Sequence, residues 1–314
     1  MKSSPEQAMK ASSGCVFDIK RFATHDGEGI RTTIFLKGCP LRCAWCQNPE
    51  GLSPKPQLLY MKSKCMRCGS CVVTAEHGGV SMKHDSIRLQ RSASEDWQHI
   101  LELCPTGALR YDAKEYTVEE LLKEIQKDAP FFRYGGGVTL SGGEPLLQDD
   151  FACRLLQACK AEGIHTTMET SLYVSLPKLQ RVLPYLDHIY ADLKVFDSAV
   201  HKAYTGVENA VILENIRYLL QDESMRKRVT IRTPLIPEMT ARRENIAAIA
   251  RFLSDCYAGV RYELLNYNPL AKAKYDYLDM EYCFAENPKL YTKEEMETFY
   301  QIARDQGIQN LIIE

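Results

Sequence analysis

The stretch RTTIFLKGCPLRCAWCQNPEG, residues 31–51, sets a β-branched, apolar run directly against a tight group of cysteines. Residues 32–37 read as a strand, because Thr, Ile and Phe suit a pleated, half-buried surface and a glycine closes the run. Cys39, Cys43 and Cys46 then fall in the loop that follows, where three thiolates can wrap one metal centre. Three is the informative number. Thiolates suit zinc and iron–sulfur clusters alike, but no Cys or His lies close after Cys46 to complete a structural zinc site. A four-iron cluster on three protein thiolates keeps one iron open to substrate, whereas a fully ligated cluster only passes electrons. On spacing alone, a zinc loop with a remote fourth ligand such as His25 stays open.

Outward from this loop, from about residue 137, short β-rich runs alternate with amphipathic helical stretches, the pattern of repeated βα units around a parallel sheet. Strands are expected near 138–141, 165–170, 189–195, 229–234 and 262–266, each followed by a helix. With 32–37 they make six units, so the predicted fold is α/β, a partial (β/α)6 TIM-like barrel. Residues 292–305 read as the last helix, with Thr292 and Glu295 as an N-terminal capping pair, and 308–314 as a further strand. Residues 54–112 break the pattern. They carry cysteines, a charged and polar stretch at 91–96 and no long strand, and read as a small domain inserted between 15–53 and 113–314 of the barrel. Residues 1–14 read as a loose N-terminal arm.

Composition narrows the function classes. With a formal net charge of -2 and 25% charged residues, the chain offers no global basic field for nucleic acid or an anionic membrane. No apolar run approaches the roughly 20 residues of a spanning helix, and MKSSPEQAMKASSG lacks the apolar core of a signal peptide. A reducing cytoplasmic setting therefore fits the 12 cysteines better than a disulfide framework does. Cys39, Cys43, Cys46, Cys65, Cys68, Cys71 and Cys104 cluster, and clustered cysteines read as ligands.

A barrel enzyme carries its working residues at the C-terminal strand ends, and polar groups recur there. GGGVTLSGGEP (135–145) ends one strand with Ser141, Gly142, Gly143 and Glu144, the glycines permitting close backbone approach. METS (168–171) places Glu169 and Thr170 at the rim, and YADLK (190–194) places Asp192 and Lys194 two apart on one face. Arg232 falls at the end of the next strand and Asn268 after the last. A charged pair facing inward is costly without a purpose, although a rim salt bridge of little worth is the plainer reading.

The spacing CxxxCxxC after a first strand resembles the radical S-adenosylmethionine superfamily. Within it, HDGEGIRTTIFLKGCPLRCAWCQNPEG (25–51) resembles the activating enzymes of glycyl radical enzymes, and the resemblance runs from about Val16 to the C-terminus. It implies that Cys39, Cys43 and Cys46 hold a [4Fe–4S] cluster used to cleave S-adenosylmethionine. The product radical would then take a Cα hydrogen from a glycine of a partner enzyme. By the same resemblance Gly142, Gly143 and Glu144 hold the cofactor's amino group, Lys194 lies near its carboxylate, and Arg232 lies near the cofactor. Asn268 stands where a histidine is often found. Asp192, Glu169 and Thr170 match a site for a monovalent cation, with Glu169 in place of an Asp. Asp26 and Arg31 belong to a turn beside the incoming glycine loop, in which Glu28 replaces a usual Pro. A flavodoxin or ferredoxin type electron donor and a monomeric state are further expectations. Two rivals remain: a radical enzyme acting on a small molecule, and a non-catalytic metal-binding or electron-transfer protein.

Cys65, Cys68 and Cys71 in CMRCGSC, with Cys104 in ELCPTGAL, resemble one complete ligand set of a two-cluster bacterial ferredoxin. The other set is missing, since Thr74, Ala75 and the stretch 95–103 stand where its cysteines would fall. The insert is thus expected to be ferredoxin-like with one auxiliary [4Fe–4S] cluster, while zinc on the same four thiolates stays open. Cys153, Cys159, Cys256 and Cys283 read as core thiols, and Cys15 as a surface residue ahead of the first strand. His165, His188 and His201 occur singly and need no ligand role.

Overall fold

The computed structural model describes residues 13–84 and 86–313. Most of the arm expected over 1–14 lies outside the described residues, but Ser13 and Gly14 already belong to a strand, β1 (Ser13–Ala23). It runs antiparallel to β2 (Arg31–Leu36), the apolar run quoted above. Residues 54–112 give only short strands, β3 (Leu58–Tyr60), β4 (Val80–Lys83), β5 (Ser86–Leu89) and β6 (Leu109–Tyr111). The chain then returns through β7 (Lys114–Thr117), which pairs with β1. There follow β8 (Gly137–Gly142), β9 (His165–Thr170), β10 (His188–Asp192), β11 (Val229–Pro234), β12 (Arg261–Leu265) and β13 (Asn310–Ile312).

These make one nine-stranded sheet in the order β13-β12-β11-β10-β9-β8-β2-β1-β7. Every pairing from β2 through β13 is parallel, and the two involving β1 are antiparallel. The fold is therefore α/β with a mostly parallel sheet. β1 places Cys15 in its buried half, at 5% exposure, which corrects the surface reading of that thiol; burial pushes its pKa up to about 12.

The sheet is curled. The Arg261 guanidinium at the start of β12 lies 3.7 Å from the Glu28 carboxylate just ahead of β2. In a flat sheet those two strands, five spacings of about 4.8 Å apart, would be separated by roughly 24 Å. Alternation sorts the two faces. Ile34, Leu140, Met168, Ile189, Ile231 and Leu264 face the helices in the main apolar cluster. The inner face is polar, carrying Arg31, Thr33, Thr139, Tyr190 and the strand-end charges.

The segment 54–112 folds as two two-stranded sheets, β3 with β6 and β4 with β5, and two short helices, Ser70–Thr74 and Trp97–Glu102. It has its own apolar cluster of Cys71, Val80, Ile87, Ile100 and Leu109. One buried ion pair ties it down. Lys37 Nζ, at the end of β2, donates to Asp112 Oδ2 at 2.6 Å, and Asp112 Oδ1 accepts from the Gln57 backbone N–H at 2.8 Å. A single carboxylate thus joins the entry and exit of the segment to the strand that precedes the first cysteine loop. Among the described residues no helix is long and apolar enough to cross a membrane.

Candidate active site

Cys39, Cys43 and Cys46 leave β2 on a loop whose backbone is held from outside. Its N–H groups at Arg42 and Ala44 donate to the carbonyls of Thr205 and Tyr204 at 2.7 and 3.0 Å, which are the orphan acceptors at the C-terminal end of the helix Ser198–Thr205. On the far side, the Tyr275 hydroxyl donates to the Cys46 carbonyl at 3.0 Å. Burial pushes Cys39 and Cys46 up to about 12 and raises Cys43 in the same direction. Without a positive centre these thiols keep their protons. Among the described residues, no three His, Cys, Asp or Glu side chains converge on one ion-sized point. A cluster several atoms wide spaces its thiolates further apart than a single tetrahedral zinc, at about 2.3 Å per bond, does. His25 is exposed ahead of β2, at the opposite end of the strand from the cysteines, so it is excluded as their fourth ligand.

The glycines of β8 serve the same loop. A Cβ on Gly143 would lie 2.2 Å from the Gly38 carbonyl oxygen and 2.6 Å from that of Gly51. At Gly142, where φ is +118°, it would lie 2.4 Å from the Leu36 backbone. The close approach expected at these glycines is therefore made to the cysteine loop's own chain, and both residues also line the cavity beyond it. Glu144 behaves differently from its expectation. Its carboxylate is fully buried and accepts from Thr170 Oγ1, Ser171 Oγ and the Ser171 N–H at 2.8, 2.6 and 2.8 Å. It does not line the cavity, and burial raises its pKa despite those donors. Its place is to lock β8 to the end of β9.

The cavity is about 380 Å³ in volume and gathers Cys39, Cys43 and Cys46 with Ser141, Glu169, Asp192, Lys194, Arg232 and Asn268. β10 stops at Asp192, so Lys194 lies just beyond the strand. The charges alternate along the rim. Ser141 Oγ donates to Glu169, whose other oxygen receives Arg232 Nη1 at 2.9 Å; Arg232 Nε stands 3.5 Å from Asp192 Oδ1, and Lys194 Nζ donates to Asp192 Oδ2 at 2.7 Å. Burial works against the Asp192 charge, but Lys194 and Arg232 outweigh it and hold the carboxyl below its ordinary range. The same contacts raise Lys194 and Arg232 above theirs against the opposing effect of burial. Asp192 Oδ1 and Arg232 Nε are buried yet have no hydrogen-bond partner. A buried acceptor and a buried donor left unpaired beside three cysteines fit a ligand bearing both charges.

Not every expected residue joins this site. Thr170 borders the cavity, but it turns its hydroxyl to Glu144, because neighbouring strand residues point oppositely; Glu169, Thr170 and Asp192 thus do not converge through their side-chain oxygens. Asn268 borders the cavity, but its side-chain oxygen caps the following turn, accepting from the Leu270 N–H at 3.0 Å. Arg31, expected at a partner surface, is fully buried under the inner face, donating to Thr139 Oγ1 and the Val138 carbonyl at 2.7 and 2.6 Å. Asp26 holds Thr33 Oγ1 at 2.8 Å at the same end. These two stabilise the base of the sheet, away from the cysteines. Sequence reasoning missed Ser171 and Tyr275, which look like ordinary loop and packing residues until the strand ends are brought together.

Cys65, Cys68, Cys71 and Cys104 line one small cavity with Tyr60, Arg67 and Gly69. Arg67 takes φ of 60° and Gly69 of 80°, the left-handed turns that let a short CxxC loop fold back on itself.

Residues 33–253 match the Radical SAM superfamily, and the chain belongs to it. S-adenosylmethionine and a [4Fe–4S] cluster come with that membership. Three relatives narrow the placement. The chain is 39% identical to the indoleacetate decarboxylase activating enzyme of Tractidigestivibacter scatoligenes, over 85% of this chain and 87% of that one. It is 41% identical to the (2S)-3-sulfopropanediol dehydratase activating enzyme of Klebsiella oxytoca, over 86% of each. It is 35% identical to the 4-hydroxyphenylacetate decarboxylase activating enzyme of Clostridioides difficile (strain CD196), over 96% of each. Within the superfamily, the chain is one of the activating enzymes of glycyl radical enzymes.

Proposed function

We propose that Cys39, Cys43 and Cys46 hold the catalytic [4Fe–4S] cluster, and that the cavity over it takes S-adenosylmethionine for the activation of a partner glycyl radical enzyme. The observation that carries this reading is one cavity shared by the three loop cysteines and the Glu169–Arg232–Asp192–Lys194 row, with its unpaired Asp192 Oδ1 and Arg232 Nε. When bound, the reduced cluster would supply the one electron that splits S-adenosylmethionine into methionine and a 5′-deoxyadenosyl radical, and that radical would take the Cα hydrogen of a partner glycine and leave as 5′-deoxyadenosine. The protein supplies position and charge. Lys194 and Arg232 suit the cofactor's carboxylate, while Gly142 and Gly143 keep the strand end close enough to the cysteine loop for both to touch one ligand. Glu144 acts at one remove, by fixing Thr170 and Ser171.

We also read residues 15–53 and 113–314 as the catalytic barrel and 54–112 as a ferredoxin-like insert. Cys65, Cys68, Cys71 and Cys104 would hold one auxiliary [4Fe–4S] cluster there. A flavodoxin or ferredoxin type donor, a monomeric chain and a cytoplasmic setting complete the proposal. The relatives' names pair near-equal identities with chemically unlike partners, a decarboxylase and a dehydratase, which supports an activating machinery independent of the partner's own substrate.

Anaerobic reconstitution followed by reduction tests the core of this. Methionine and 5′-deoxyadenosine should form, and electron paramagnetic resonance should show a glycine-centred radical once a candidate partner enzyme, drawn from a neighbouring gene, is added. Formation of the small products with no radical on that partner would overturn the partner assignment; formation of neither would overturn the catalytic reading.

A further inference from the structure

The family resemblance calls for a monovalent cation at Glu169, Thr170 and Asp192, and the structure seats a side chain there instead. We propose that the Arg232 guanidinium takes the electrostatic place of that cation, so that this enzyme binds S-adenosylmethionine without potassium or sodium. The inference rests on the functional reading above.

Three observations carry it. The guanidinium sits between the two carboxylates, with Nη1 2.9 Å from Glu169 Oε1 and Nε 3.5 Å from Asp192 Oδ1. It is fixed there from below and beside: its carbon lies 4.6 Å from the centre of the Tyr190 ring, and Arg232 pairs in register with Asp192 across β10 and β11. Second, the third expected ligand borders the cavity without offering its hydroxyl there, since Thr170 Oγ1 donates to Glu144 and accepts from the Leu172 N–H. Third, each carboxylate around this point already faces a resident cation. Glu169 and Asp192 touch Arg232, Asp192 also touches Lys194, and Glu263 of β12 directs its charge onto Arg232. An added ion would meet two fixed positive charges, and Asp192 Oδ1, the one carboxylate oxygen of the Glu169 and Asp192 pair without a hydrogen-bond partner, already stands 3.5 Å from Arg232 Nε. The length of Glu169 matters as well. Its extra methylene, compared with Asp, lets one carboxylate reach Ser141 and Arg232 together.

The test is the affinity for S-adenosylmethionine of the anaerobically reconstituted, full-length protein, titrated calorimetrically in potassium, sodium and choline chloride at equal ionic strength. The wild type should bind within about twofold across the three salts. A loss of about tenfold or more in choline would overturn the proposal. Arg232→Met removes the resident cation and should bind more weakly, with potassium restoring affinity that choline does not; indifference of this variant to the ion would also overturn it. Methionine release on reduction, followed in the same buffers, reports separately on the catalytic reading, because it appears with a bound ion or without one if that reading holds.

Discussion

At the scale of single residues, Asp192 sets the character of the site: it carries a cation on each oxygen's side, and only one of those contacts is a completed hydrogen bond. A site balanced this way stays ionised in a half-buried setting, which suits a ligand that arrives with its own two charges. The two cysteine sets should separate cleanly by mutation. Cys43→Ala should abolish S-adenosylmethionine cleavage, whereas Cys68→Ala should leave the first cluster's paramagnetic signal in place while lowering iron content. Equal loss of the first signal in both would show that the sets are misassigned. The residues gathered around the cavity were legible because their types are rare in such company: three cysteines, an Asp-x-Lys and a strand-end Arg. Direction was not legible. Glu144 and Arg31 were read as facing ligand or partner, but whether a carboxylate points into a cavity or into its neighbouring strand depends on the backbone turn it sits on, which residue type does not encode.

At the scale of elements, β8 works by lacking side chains. Gly143→Ala would press a methyl group onto the carbonyls of Gly38 and Gly51, and backbone cannot yield as a flexible side chain does, so a cost of about 1–3 kcal/mol is expected. A thermal midpoint close to the wild type's, together with unchanged cofactor affinity, would show that the loop moves aside freely. The parallel strands were found from sequence because each is a short apolar run between helices. β1 and β7 were not. β1 alternates only over Phe17, Asp18, Ile19 and Lys20 before Arg21 breaks the pattern, and β7 is KEYT, a charged edge of the kind that guards a sheet from pairing with other chains and without alternation of its own.

At the scale of the whole molecule, the polar inner face makes the protein sensitive to acid. Burial, with the nearby Arg261 charge adding to it, holds His188 at about 3 against an ordinary 6.5, and burial also lowers His165 and His201. The unfolded chain therefore takes up these protons first. Stability rises with pH across the window from about 3 to 6.5, and is lost as pH falls below 6.5. His188 alone should remove about 1 kcal/mol by pH 5.5. The anaerobic, cluster-loaded protein should show a thermal midpoint that drops from pH 7.5 to 5.5, with a shallower slope in His188→Gln; an identical slope would remove His188 as the cause.

The Lys37–Asp112 pair has a consequence for how the chain assembles. β2 and β8 are neighbours in the sheet, yet Arg31 reaches Thr139 across 108 positions, and the whole cysteine-bearing segment lies between them. Closing a loop of that length costs entropy before any contact repays it. By joining Gln57 to Asp112 and both to Lys37, the carboxylate shortcuts the loop once the segment has folded. Folding should then proceed in two parts, with β8 to β11 pairing through their local crossovers and the β1–β2 hairpin docking last. Pulse-labelled hydrogen exchange should find β9 and β10 amides protected before those of β2, and Asp112→Asn should slow the later phase. The first cysteine loop is thus the last piece of the active site to be set, after the strand ends that face it already stand.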